Sequence, residues 1–178
     1  FDEDGDGTLF GQNVPNPYFE VRANWDQVIT WDWPLGASLT LEIDDPATPN
    51  EPDFSTTQVT NFYPDDNRIY AEFNVGESID IQAGFEVSLG DGTTTKTLTV
   101  SPLAFTSVDV VNDTVYGIAD PDVPVGVWAC DESGCYNYHT TSDGAGNWTL
   151  TVPAPLKDGV YDVAVETRDQ AGNVREWN

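Results

Sequence analysis

Apolar and polar positions alternate along most of this chain, in short runs cut off by Gly, Pro, Asp and Asn before a helix-length window accumulates. A period of two sends alternate side chains to opposite faces of an extended strand. In the first half the runs rich in Val, Ile, Thr, Tyr, Phe and Trp are 18–23, 28–33, 37–43, 56–60, 68–75, 85–89 and 94–100. In the second half they are 107–111, 114–119, 125–130, 135–141, 147–152, 160–167 and 174–177. Turn clusters such as Asp44-Asp45-Pro46, Pro64-Asp65-Asp66-Asn67 and Gly90-Asp91-Gly92 separate them. A break near Ser101-Pro102 leaves about seven strands on each side, the number an antiparallel sandwich uses. The pattern predicts an all-β chain of two tandem antiparallel β-sandwiches, 14–103 and 104–178, preceded by a segment 1–13.

Alternation also assigns faces. In 125–130 it turns Val125, Val127 and Ala129 inward, and in 160–165 it groups Tyr161, Val163 and Val165. Cys130 and Cys135 bracket the polar turn Asp131-Glu132-Ser133-Gly134, which reads as a hairpin loop. Residues flanking such a loop face each other at a separation a disulfide can span. Pairing Cys130 with Cys135 sets Ala129 against Tyr136 and Val127 against Tyr138, with Trp128 on the outer face. Two free thiols are the alternative, while the spacing lacks the second pair a zinc knuckle needs. A disulfide would point to an oxidising, extracellular compartment.

Three stretches carry a family resemblance. They are Val115-Tyr116-Gly117-Ile118-Ala119-Asp120-Pro121, Asp143-Gly144-Ala145-Gly146-Asn147-Trp148-Thr149-Leu150-Thr151-Val152-Pro153, and Leu156-Lys157-Asp158-Gly159-Val160-Tyr161 running on to Asp169-Gln170-Ala171-Gly172-Asn173-Val174. In these, residues from about 105 to 175 resemble the bacterial immunoglobulin-like (Ig-like) domains of large extracellular repeat and adhesin proteins. The sequence departs from the pattern at Asp122, where a Gly usually follows the Pro, and in its hairpin cysteines. The first half is only loosely similar. The resemblance implies two tandem Ig-like sandwiches and an extracellular setting. It brings no catalytic residues, since the family shares none.

Charge narrows the partners. The 178 residues hold 31 Asp and Glu against 6 Lys and Arg, a net charge of −25. That excludes a nucleic-acid binder, which needs a basic face to release counterions from phosphates, and disfavours an anionic lipid surface. With 39% apolar and 12% aromatic residues, the chain is nonetheless no disordered acidic tail. No apolar run approaches the roughly 20 residues that span a bilayer. The chain starts at Phe1 and contains no Met, as expected of a piece of something longer.

The candidate chemistry is acidic and aromatic. Asp2, Asp4 and Asp6 followed by Gly7 match the opening of a calcium loop, but Asn13 stands where its bidentate Glu belongs and no helices flank it. The same stretch aligns with the chain's other end at a constant offset of 167: Asp2 on Asp169, Gly5 on Gly172, Asp6 against Asn173 and Phe10 against Trp177. Residues 1–11 then read as the tail of a preceding module in a repeat array, or as a strand exchanged with a neighbouring subunit. Asp120 with Asp122, and Asp2, Asp4 and Asp6, are the candidate Ca²⁺ ligands at module joints. The alternative for every acidic cluster is a solvated turn in which Asp bonds the backbone. Trp31 and Trp33 lie two apart in an extended run and so share a face, either stacking on glycan or filling the core. His139 is the single histidine and has no Ser or Cys partner for a triad. Two sequons, at Asn112 and Asn147, and two lysines, Lys96 and Lys157, complete the inventory.

These features predict a non-catalytic structural module of a secreted or cell-surface bacterial protein. It would serve as a rigid spacer or filament segment whose partners are adjacent copies or modules. The alternatives are a carbohydrate-binding adhesive module using Trp31 and Trp33, or an accessory module of a secreted hydrolase.

Overall fold

A computed structural model describes residues 16–49, 51–65, 67–131, 134–152, 162–168 and 174–177. The strands are β1 (Tyr18–Arg22), β2 (Gln27–Trp31), β3 (Ser38–Asp44), β4 (Phe54–Val59), β5 (Asn61–Tyr63), β6 (Arg68–Tyr70), β7 (Glu72–Asn74), β8 (Glu86–Gly90) and β9 (Thr95–Thr99). They continue with β10 (Ala104–Asp109), β11 (Thr114–Ile118), β12 (Pro124–Asp131), β13 (Gly134–Thr141), β14 (Asn147–Thr151), β15 (Asp162–Arg168) and β16 (Val174–Trp177). One 3-10 turn, Ala23–Trp25, joins β1 to β2. The fold is all-β, as the alternation predicts, and Ig-like, as the resemblance implies.

Strand order repeats within the chain. β1-β2-β7 and β4-β3-β8-β9 in the first half match β10-β11-β14 and β13-β12-β15-β16 in the second. Each set encloses one hydrophobic cluster. The first holds Phe19, Val21, Val28 and Phe73 against Leu39, Leu41, Ile43, Val87 and Leu89. The second holds Val115 and Trp148 against Val125, Val127 and Val165. Alternation accounts for both: β3 reads exposed–buried throughout, with Leu39, Leu41 and Ile43 fully buried.

Each core carries one buried tryptophan whose indole N–H is satisfied by a backbone carbonyl. Trp33 Nε1 donates to Tyr18 O at 3.1 Å, and Trp148 Nε1 donates to Ile118 O at 3.1 Å. Trp148 lies across from Gly117 in the ladder. A Cβ on Gly117 would collide with Trp148 Cζ2 and with the Ala104 carbonyl oxygen, so the ring takes the volume a side chain would fill.

Where the observed strands differ from the sequence reading, local hydrogen bonds explain it. The run 68–75 splits at Ala71, whose N–H donates to Thr30 Oγ1 at 2.8 Å and whose carbonyl accepts from the Thr30 N–H at 3.0 Å. The predicted strand 107–111 is instead Ala104–Asp109, because Asp109 Oδ1 accepts the Val111 and Asn112 N–H groups and turns the chain. Val110 and Val111 are consequently exposed despite their β propensity. The short strand β5 has no counterpart in the predicted set.

Candidate functional site

The two halves meet in a way the sequence pattern does not announce. β16, the last strand, lies between β15 and β1, pairing antiparallel with the former and parallel with the latter. Glu20, Val21 and Arg22 stand opposite Val174, Arg175 and Glu176. The pair merges strands from both halves into one seven-stranded sheet, β13-β12-β15-β16-β1-β2-β7. Register carries the faces across it. Thr167 shares a side with Val165 and stands opposite Arg175, which stands opposite Val21. Both cores therefore lie on one side of the shared sheet. Its other side combines the buried apolar residues Ile29 and Val174 with polar pairs: Gln27 Nε2 donates to Glu72 Oε1 at 2.9 Å and to Asn74 Oδ1 at 3.0 Å, and Trp31 Nε1 donates to Glu20 Oε2 at 2.8 Å.

Basic residues concentrate at this seam. Of the six Lys and Arg, Arg22, Arg168 and Arg175 lie on β1, β15 and β16. Arg22 Nη2 stands 3.6 Å from Glu20 Oε2, and Arg168 Nη2 stands 3.4 Å from Glu166 Oε2. Such partly exposed ion pairs contribute little individually, about 0–1 kcal/mol. Each pair lies within one strand, β1 or β15, rather than across the seam.

The hairpin register is the one expected. Cys130 stands opposite Cys135, Ala129 opposite Tyr136 and Val127 opposite Tyr138. Val125 and Val127 are buried, and Trp128 is exposed on the outer face. His139 is exposed on β13 opposite Gly126, with no nucleophile among its register partners.

Turn aspartates act mainly on their own backbone. Asp91 Oδ1 accepts the Thr93 and Thr94 N–H groups, Asp143 Oδ1 those of Ala145 and Asn147, and Asp45 Oδ1 that of Ala47. Hydrogen bonds to Thr94 and Thr93 hold Asp91 below the usual carboxylate range; those from Asn112 do the same for Asp109, and those from Asn147 and Ala145 for Asp143. Asp120 and Asp122 are both exposed. Asp122 adopts φ +57, the left-handed region where Gly is freest and Asp is tolerated. That is the physical reason a Gly fits after the Pro in the family pattern. Among the described residues, no group of three or more His, Cys, Asp or Glu converges as a metal site would require. Asp2, Asp4 and Asp6 lie outside the described residues.

Two carboxylates have roles that sequence reasoning missed. Asp26 accepts the Ile81 N–H at 2.7 Å while its carbonyl accepts that of Val75, tying the loop 75–81 to the β1–β2 connection. The Asp44 carboxyl is pushed up by partial desolvation and then by Asp53, Glu51, Glu86 and Asp45 around it. Neither is marked by a local motif: the partners are brought together by pairing of β3 with β8 and by loop packing.

Of the two readings of Trp31 and Trp33, stacking on glycan or filling the core, Trp33 follows the second. Asp32, at φ +60, breaks the extended run between Trp31 and Trp33, so the two rings do not share a face. Trp33 is 2% exposed and belongs to the core. Trp31 is half-buried, with the Tyr70 ring 5.3 Å away and the Arg68 guanidinium 5.1 Å from its centroid. Both neighbours compete with a sugar for its faces.

Residues 117–178 match the family model described as a bacterial Ig-like domain. The match covers about the C-terminal third of the chain. No curated protein matches the chain. Among solved structures, a tetra-tandem repeat in the extending region of a large adhesion protein is similar at 19% identity and a TM-score of 0.32, covering 90% of this chain and 47% of that one. A 1.5-MDa bacterial ice-binding adhesin is similar at 13% identity and a TM-score of 0.30, covering 94% of this chain and 63% of that one. A Ca²⁺-stabilized adhesin of an Antarctic bacterium is similar at 14% identity and a TM-score of 0.32, covering 92% and 47%. The chain thus spans less than two thirds of each of these structures, and at such scores no role passes from them to it. No helix among the described residues is long and apolar enough to cross a membrane.

Proposed function

We propose that this chain is a non-catalytic, load-bearing module of a secreted or cell-surface bacterial protein. It comprises two Ig-like units, 14–103 and 104–178, with residues 1–13 belonging to a preceding module of a repeat array. The observation that carries the reading is the parallel β1–β16 pair. Parallel neighbours run in the same direction, so the chain enters at one end of the pair and leaves at the other. Tension between those ends loads the ladder along the strands. Its hydrogen bonds then share the load and break together rather than one after another. Both hydrophobic cores stay off the load path while the pair holds.

Stretching single molecules from both ends tests this. The expected first event is rupture of the seam, before either core yields. Two independent unfolding events with nothing before them would show that load runs serially through the units, and would overturn the proposal.

Two finer features belong to the same reading. A Cys130–Cys135 disulfide is favoured by their directly opposed register in an antiparallel pair. Resistance of the folded and denatured chain to thiol labelling, relieved by reductant, is the expected outcome. Cations offset the repulsion of 31 carboxylates, with calcium at the joints held by Asp120 and Asp122 together with Asp2, Asp4 and Asp6. Millimolar Ca²⁺ should raise the melting temperature beyond what Na⁺ does at matched ionic strength. An equal response would reduce calcium to screening.

A further inference from the structure

Two features of this chain are left over by its packing and complement each other. The first is a cleft of about 570 Å³ at the end of the β1–β2 ladder where Tyr18 stands opposite Trp31. Its walls include Tyr18, Trp31, Pro34, Phe62 and Ile69, and Phe62 is 48% exposed. Arg68 lines it too, with its guanidinium 5.1 Å from the Trp31 centroid. In a chain of 31 carboxylates, this guanidinium makes no ion pair with any described residue. The second feature is the turn between β10 and β11, where Val110 is 58% and Val111 86% exposed. Asp109 fixes that turn: Oδ1 accepts the Val111 and Asn112 N–H groups, and Oδ2 accepts from Asn112 Nδ2 at 2.7 Å. Two branched apolar side chains are thus presented beside a carboxylate on a backbone already ordered, which keeps the entropic cost of docking small.

We infer that the cleft is a socket for the Val110–Val111 turn of a second copy of this chain. A side chain must project to enter a concave site. Among the described residues, the large apolar side chains exposed outside strands are Trp25, Leu35, Val110 and Val111. Trp25 carries the Arg22 guanidinium 5.9 Å from its ring centroid, which would bring like charge to Arg68. Leu35 adjoins Pro34 in the wall of the cleft itself. The Val110–Val111 turn instead brings Asp109, a carboxylate for Arg68, together with apolar surface for the aromatic walls. Asp32 lines the cleft as well. That disfavours a strongly anionic occupant and suits a knob with more apolar surface than charge. Each copy offers one turn and one socket, so the contact is heterologous and adds copies head to tail. It joins copies whether or not the β1–β16 seam carries load.

Sedimentation equilibrium of the whole chain, over a concentration series reaching about 1 mM, tests the contact. The expected mean mass climbs with concentration without levelling at a dimer, as an open-ended contact requires. Val111→Asp places a charge on the knob and Arg68→Glu reverses the charge of the socket, both at exposed positions. Each should weaken association about tenfold or more. Mixed in equal amounts, the two variants should recover a heterodimer and nothing larger, because Arg68→Glu keeps its turn and Val111→Asp keeps its socket. Should either variant fail to fold, Val111→Ser and Arg68→Gln take their places with the same expectation. A chain monomeric at every concentration overturns the proposal, as does association that survives either substitution. So does a mixture that stays monomeric, since the loss in each variant would then come from added charge and not from a turn entering a socket.

Discussion

At the scale of single residues, the second core rests on one exchange of volume. Gly117 has no side chain, and the Trp148 ring lies over it with its N–H on Ile118 O. Gly117→Ala therefore forces overpacking against ring and backbone together, and should cost about 2–3 kcal/mol in urea unfolding. Titrating groups act in two opposite directions. Asp91, Asp109 and Asp143 are held low by hydrogen bonds from their own turns. Their stabilisation is present above the unfolded carboxylate value of about 3.9 and lost as pH falls through the folded values. Asp44 is held high by desolvation and neighbouring carboxylates. Its contribution is present below the unfolded value and lost as pH rises through the folded one. Asp44→Asn should accordingly raise the melting temperature at neutral pH, with the gap closing below about pH 4. Asp143→Asn should lower it at neutral pH. An Asp44→Asn variant no more stable than wild type at pH 7 would contradict the electrostatic account of that corner.

At the scale of elements, hydrogen-bonded turns decide where strands stop, and they are also where the sequence was most and least legible. The hairpin β12–β13 was readable to the residue, because alternation and the Cys130/Cys135 bracket fix one register and a one-residue slip would expose Val125 and Val127. The limits of β10 were not, because a Val-Val pair outweighs a single Asp in any propensity reading while Asp109 bonds two N–H groups in the fold. The shared face expected of Trp31 and Trp33 fails for the same reason, since one left-handed Asp32 breaks the extended run between them, while core filling holds for Trp33. Asp122 is the converse case, its left-handed backbone being legible through the family's Gly. Replacing it by Gly should leave stability within about 1 kcal/mol of wild type, since the site already has the geometry Gly prefers. A larger loss on chemical denaturation would mean that the Asp122 carboxylate is itself a binding group.

At the scale of the whole molecule, the feature that matters most is one that no local pattern carries. Parallel pairing of β1 with β16 joins residues more than 150 positions apart. Both strands are short, and neither announces its neighbour. What the sequence does hold is a trace of the consequence, three arginines on β1, β15 and β16 in a chain with six basic residues. The acidic surplus is carried largely by turns and exposed strand positions. Most of the strands were legible from periodicity; the union of strands from both halves in one sheet is long-range packing, which periodicity does not encode.

The most direct test of the seam as the load path is to lock it. Arg22→Cys with Glu176→Cys places a cysteine pair at directly opposed positions of β1 and β16. Stretched from its ends in reducing buffer, the chain should release about 500 Å of contour length in all once the seam and then both cores give way, roughly 150 residues at 3.3–3.6 Å each. In oxidising buffer that release should vanish, leaving only the residues outside the crosslink to extend. A chain that lengthens equally in both conditions would contradict the account, since β1 and β16 would then not lie side by side in solution.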